Sequence, residues 1–196
     1  PDYHSAGSVA IERVTYLTLE DLNTALNLYR SGALDVTSEV PNTQVGWLQQ
    51  NELNASHPYA KYKADLLPTE YGTLKANDGQ SLYYSMIKPA NFDATKKYPV
   101  FLYTYGGPHS QQVQRKWDNQ FYQYMAQQGF IVFRLDNRGS SRRERQFTDV
   151  IYKELGKHEV QDQLSGIDWL AKQNFVDAKR IGVFGWSYGG YMTLRL

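Results

Sequence analysis

The chain has 196 residues, enough for one domain or for one domain with a fragment beside it. A formal net charge of +1 gives no field for nucleic acid or an anionic membrane, and the absence of cysteine excludes disulfides and thiolate metal sites. No apolar run approaches the roughly 20 residues of a membrane-spanning helix, and residues 1–10 lack the form of a signal peptide.

In chain order, Val9, Ile11, Val14, Tyr16, Leu17 and Leu19 make an extended, partly buried stretch. Glu20 and Asp21 open a helix with Leu22, Ala25, Leu26 and Tyr29 on its apolar face, and Gly32 is its expected C-cap. Leu34 to Thr37 is a second expected strand. Residues 51–68 are polar, are broken by Pro58 and Pro68, and form a connector. A hairpin follows: Glu70 to Ala76 and Ser81 to Lys88 flank the turn signal Asn77-Asp78-Gly79. From Pro99 the pattern becomes α/β. Val100 to Tyr105, Phe130 to Leu135 and Arg180 to Trp186 are compact apolar runs, expected for strands buried on both faces. Between them lie two expected helices. Trp117 to Gln128 would bury Trp117, Phe121, Tyr124 and Met125, and Glu159 to Lys172 would bury Val160, Leu164, Ile167 and Ala171. Arg142, Arg143 and Arg145 are expected in a solvated loop. The alternation specifies a doubly wound, mostly parallel sheet of α/β class over residues 69–196.

The last strand runs into Gly185-Trp186-Ser187-Tyr188-Gly189-Gly190, a G-x-S-x-G sequence in a strand–turn–helix context. A serine raised above a sheet edge needs a strained turn, in which side chains at Gly185 or Gly189 would meet neighbouring backbone. Gly190 would let the following helix approach the sheet. The helix N-terminus aims free N–H groups at Ser187, so the Tyr188 N–H can hold a developing oxyanion. Thr104-Tyr105-Gly106-Gly107-Pro108 ends the first α/β strand at the same sheet edge, where ligands bind in such folds. The Tyr105 hydroxyl is a second candidate oxyanion donor, although Gly-Gly-Pro by itself also makes a plain turn.

From about residue 53 the sequence resembles the prolyl oligopeptidase family, and most closely its dipeptidyl-peptidase IV-like branch in bacteria. The stretches that carry the likeness are LNASHPY, KKYPVFLYTYGGPHSQ, LDNRGS, EVQDQ and DAKRIGVFGWSYGGYMTL. The resemblance implies a serine peptidase of the α/β-hydrolase fold that acts on peptides without cofactor or metal and releases dipeptides after proline or alanine. It makes Ser187 the nucleophile and Tyr105 the oxyanion-binding tyrosine. It gives Tyr188 two roles, a backbone donor and a ring that walls the pocket for the residue before the scissile bond. Asn137, Arg138 and Gly139 match a loop taken as structural. Another hydrolase of the same family is the alternative within enzymes.

Residues 1–50 resemble something else, the extracellular oligopeptide-binding proteins of bacterial transporters, through VTYLTLEDLNTALNLYRSGALDVTSEVP, Val14 to Pro41. A peptide-binding module is therefore the reading from a different class. Both resemblances imply export to the periplasm or beyond. The family's triad order is Ser, then Asp, then His, yet Tyr188 to Leu196 contain neither Asp nor His, and His4, His57, His109 and His158 all precede Ser187. Residues 1–50 do not have the pattern of the family's β-propeller. The expectation is a C-terminally truncated catalytic domain joined to an unrelated fragment. Alone it would be inactive as a peptidase and prone to self-association at the exposed strand that bears Ser187.

Overall fold

A computed structural model describes residues 22–31, 33, 60–116 and 119–196. The chain divides into two units, Pro1–Ala60 and Lys61–Leu196. In the first, helix α1 spans Leu22–Arg30 and buries Ala25, one of the residues expected on its apolar face. The Ser31 N–H and the Ser31 hydroxyl cover the carbonyls of Asn27 and Leu28 at its end. The strands expected at 9–19 and 34–37, and the cap at Gly32, lie outside the described residues. Within the expected connector, Ala60–Asp65 turns as a 3-10 helix.

The second unit is built on one five-stranded sheet. Its strands are β1 (Thr69–Lys75), β2 (Ser81–Ile87), β3 (Tyr98–Tyr103), β4 (Ile131–Asp136) and β5 (Val176–Phe184), in the spatial order β1-β2-β4-β3-β5. β1 and β2 form the expected hairpin, with Gly79 at φ 88° in the turn, and β2 runs antiparallel to β4. β3 pairs in parallel with β4 on one side and β5 on the other, with Leu102 opposite Phe133 and Tyr103 opposite Phe184. The helices are α2 (Gln120–Gln127), α3 (Arg145–Asp149), α4 (His158–Ala171) and α5 (Tyr188–Arg195).

Alternation along the strands makes two cores. Leu82, Met86, Val100, Leu102, Ile131, Phe133 and Leu135 gather on one face with Leu170 of α4, and Trp169 and Ile167 pack against them. Ile87, Tyr103 and Val132 gather on the other with Tyr122 and Ala126 of α2. Every residue of β4 is buried, as the central position demands.

Three packing expectations are overturned. α2 buries Tyr122 and Ala126, whereas Phe121 and Tyr124 are exposed and Met125 only partly buried. The small Ala126 faces the sheet, and Phe121 rides at the rim, edge-on to Phe101. α4 turns its polar stripe inward: Glu159, Asp162, Gln163 and Ser165 are buried, while Leu164 and Ala171 are exposed and Val160 and Ile167 only partly buried. Gly166 allows this close seating, because a Cβ there would stand 2.8 Å from Leu135 Cδ2. β5 is not covered on both faces and, among the described residues, pairs only with β3. Arg143 also leaves the expected solvated loop, stacking its guanidinium on Tyr83 and Phe147 at 4.5 and 4.1 Å.

Candidate active site

Ser187 stands between β5 and α5 with φ 57° and ψ −125°, a combination that a residue with a side chain adopts only when its surroundings enforce it. The enforcement comes from both sides. Gly189 and Gly190 donate their N–H groups to the carbonyls of Trp186 and Ser187 at 2.9 Å each, which winds the first turn of α5 directly onto the serine. The Thr104 N–H donates to the Phe184 carbonyl at 2.9 Å, which carries the β3–β5 ladder up to the turn. A Cβ at Gly185 would overlap the carbonyl oxygens of Gly189 and Thr104, and one at Gly189 would overlap Thr104 O and lie 3.1 Å from Tyr105 Cα. The two backbones thus cross in near contact at these glycines. Gly190 is different: its Cβ would meet only Gly185 O, at an ordinary 3.6 Å, so the close approach expected there is made one residue earlier.

The crossing sets Tyr105 against the first turn of α5. Its ring lies over Gly107, where a Cβ would come within 2.6 Å of Tyr105 Cε1, and its centroid is 6.3 Å from that of Tyr188. The Ser187 side chain makes no capping hydrogen bond, and the Tyr188 N–H, first in its helix, has no acceptor within α5. Trp186 is exposed, with its Nε1–H donating to Tyr103 Oη at 3.1 Å.

The loops behind the turn are held by the buried polar face of α4. Asn137 is fully buried; its Nδ2 donates to the carbonyls of Gly106 and Arg138, and its Oδ1 accepts from Gln163 Nε2 at 3.0 Å. Arg138 places its guanidinium on Asp162, with Nη2 to Oδ1 at 2.6 Å, while its N–H reaches Oδ2 at 2.7 Å; Nη1 extends to Asp78 at 2.6 Å. Burial lifts the Asp162 carboxyl above the usual aspartate range against the pull of Arg138, and the same pair raises Arg138. Glu159, with no exposed surface, accepts the Tyr188 hydroxyl on Oε1 at 2.7 Å and the Gly156 N–H on Oε2 at 3.0 Å. Burial, then the bond to Glu159 and its charge, push the Tyr188 phenol far up, so it stays neutral. These three α4 residues are the site features that sequence reasoning left without a role. Their spacing at i, i+3 and i+4 is that of a buried helical stripe, but the rule that assigns such stripes to apolar side chains passed over them.

Of the histidines in the second unit, His158 bonds Glu154 through Nε2 at 3.1 Å, and His109 has an exposed side chain and gives its backbone N–H to the Gly139 carbonyl. His4 and His57 lie outside the described residues. No group of His, Asp and Glu suited to a metal ion occurs among the described residues, and no described helix is long and apolar enough to cross a membrane.

Comparison with known proteins points the same way. The sequence model of the prolyl oligopeptidase family matches residues 116–196. The chain is 38% identical over 116 residues to prolyl endopeptidase FAP of Mus musculus (59% of this chain, 15% of the relative). It is 37% identical over 134 residues to dipeptidyl peptidase 8 of Mus musculus (66% and 15%). Porphyromonas gingivalis dipeptidyl peptidase 4 superposes with a TM-score of 0.64 at 36% identity, covering 66% of this chain and 18% of that one. A Bacteroides ovatus protein assigned as a dipeptidyl aminopeptidase IV gives 0.65 at 46% identity, covering 70% and 20%. The chain therefore spans about a seventh of the curated relatives' length and about a fifth of the solved chains. Residues 116–196, which hold the strained serine turn and the α4 face behind it, are thus the part of this chain that is similar to the prolyl oligopeptidase family of serine peptidases.

Proposed function

We propose that the chain carries the nucleophile half of a serine peptidase of the dipeptidyl-peptidase IV type, which releases dipeptides after proline or alanine by way of an acyl-enzyme. The observation that carries this reading is the forced φ of Ser187 at the head of α5, beside the unspent Tyr188 N–H.

The chemistry divides among few atoms. Ser187 Oγ attacks the scissile carbonyl carbon and its proton passes to a base. The carbonyl oxygen, now negative, accepts from the Tyr188 N–H and the Tyr105 hydroxyl. The C–N bond then breaks, the amine leaves with a proton, and water hydrolyses the ester. Oriented donors of this kind are each worth about 2.7–4 kcal/mol in the transition state. The rings of Tyr105 and Tyr188, 6.3 Å apart, suit a flat, compact residue such as proline beside the serine. An endopeptidase is the second reading, favoured by the relative named prolyl endopeptidase FAP.

Among the described residues no histidine, neither His109 nor His158, is hydrogen-bonded to Ser187, and His158 is committed to Glu154. The 196-residue polypeptide should therefore leave a Gly-Pro anilide intact, and turnover that Ser187→Ala abolishes would overturn this. The nucleophile itself is tested with a dipeptide boronic acid. Boron-11 NMR should show a tetrahedral adduct with the wild-type chain and none with Ser187→Ala; trigonal boron with both would refute the assignment.

A further inference from the structure

The buried carboxylate of Glu159 has two partners, and both are donors: the Tyr188 hydroxyl on one oxygen and the Gly156 N–H on the other. A carboxylate accepts one donor on each oxygen and so satisfies both at once. Its charge is tolerated without a cation because Glu159 lies in the first turn of α4, where the helix dipole favours an anion. Tyr188, itself half-buried, also has Tyr191 edge-on at 5.4 Å and Tyr105 at 6.3 Å between centroids. The chain is also tight at Gly156, where any Cβ would overlap the Tyr191 hydroxyl. Tyr188 is the residue next to Ser187 and shares a peptide plane with it, so its N–H cannot turn independently of the serine's backbone.

We propose that Glu159 is a positioning residue for the acyl-transfer centre: by gripping the Tyr188 hydroxyl from beneath, it holds the Tyr188 N–H and ring in register with Ser187. The proposal rests on the peptidase reading above. Glu159 touches no substrate and acts only through Tyr188. In Glu159→Gln, the amide oxygen can keep the Gly156 N–H while its NH2 group donates to the phenol. The fold is retained and the grip is reversed, so the Tyr188 proton must find another acceptor.

The test uses the 196-residue chain carrying tyrosine labelled with carbon-13 at Cζ, with Tyr188→Phe to assign the signal. In wild type the Tyr188 signal should stay unshifted to about pH 11, and in Glu159→Gln it should titrate at lower pH, towards the ordinary tyrosine range. Boron-11 NMR then gives the affinity of the dipeptide boronic acid, whose adduct carries the oxyanion's charge. Glu159→Gln should weaken it about tenfold with an unchanged melting temperature. Tyr188→Phe should do the same, and the double variant should lose little more, because both changes cut one link. Tyr188→Phe serves as the second variant if Glu159→Gln fails to fold. Equal or tighter boronate binding by the single variants, additive losses, or a Tyr188 signal that titrates alike with and without Glu159 would overturn the proposal while leaving the peptidase reading in place. A wild-type chain that takes no boronate defeats the peptidase reading, and the proposal falls with it.

Discussion

Asp162→Ala removes the centre of the network behind the serine turn, and its cost can be worked from the contacts. The carboxylate is wholly buried and receives the Arg138 backbone N–H at 2.7 Å, Nη2 at 2.6 Å, and Nε at 3.2 and 3.1 Å to its two oxygens. Breaking a buried pair by deleting one partner costs about 3–5 kcal/mol, because the other charge is left without compensation. Arg138 would keep its 2.6 Å bond to Asp78, which is half exposed, so the low end, about 3 kcal/mol, is expected. For a unit of this size that corresponds to a fall of about 10 °C in Tm. Urea unfolding followed by circular dichroism at low protein concentration measures it. Replacing both partners, Arg138→Met with Asp162→Leu, should recover most of the loss, since two apolar side chains leave no stranded charge. A single variant within about 0.5 kcal/mol of wild type would refute the reasoning and show the pair to be solvated.

Two further outcomes are expected. Gly189→Ala should destabilise by about 1–3 kcal/mol and abolish the boronate adduct at Ser187, because its methyl group overlaps Thr104 O, whereas Gly190→Ala should cost less than about 1 kcal/mol; equal effects in thermal melts would contradict the crossing geometry. Asp136 has its carboxyl raised above 3.8 by burial, against the Gln112 and Val113 N–H groups that both reach Oδ1. The folded state therefore holds this proton more tightly than the unfolded one, so this group's contribution to stability falls as pH rises from 3.8 through the folded value and is flat above it. Asn keeps the doubly bonded oxygen, so Asp136→Asn should gain stability relative to wild type across that window, and parallel stability–pH curves would count against it.

Chain order alone determined the elements that depend on local chemistry. Asn77-Asp78-Gly79 forces a tight turn, so the hairpin stood within a residue of its observed bounds. The apolar runs at β3 and β4, and the glycines around Ser187, gave the α/β pattern and the serine turn for similar reasons: a buried strand and a turn crowded by backbone each leave few residue types to choose from. Tertiary structure alone decided which face of each helix is inside. On α4 the apolar Leu164 lost its place to Glu159, Asp162 and Gln163, since partners 24 to 29 residues away along the chain, Tyr188, Arg138 and Asn137, satisfy their polar atoms. On α2 the small Ala126 went to the sheet and Phe121 to the rim. Periodicity counts hydrophobicity along one helix, but burial is settled by what the neighbouring elements can pair with or pack against, and that appears only once the chain has folded.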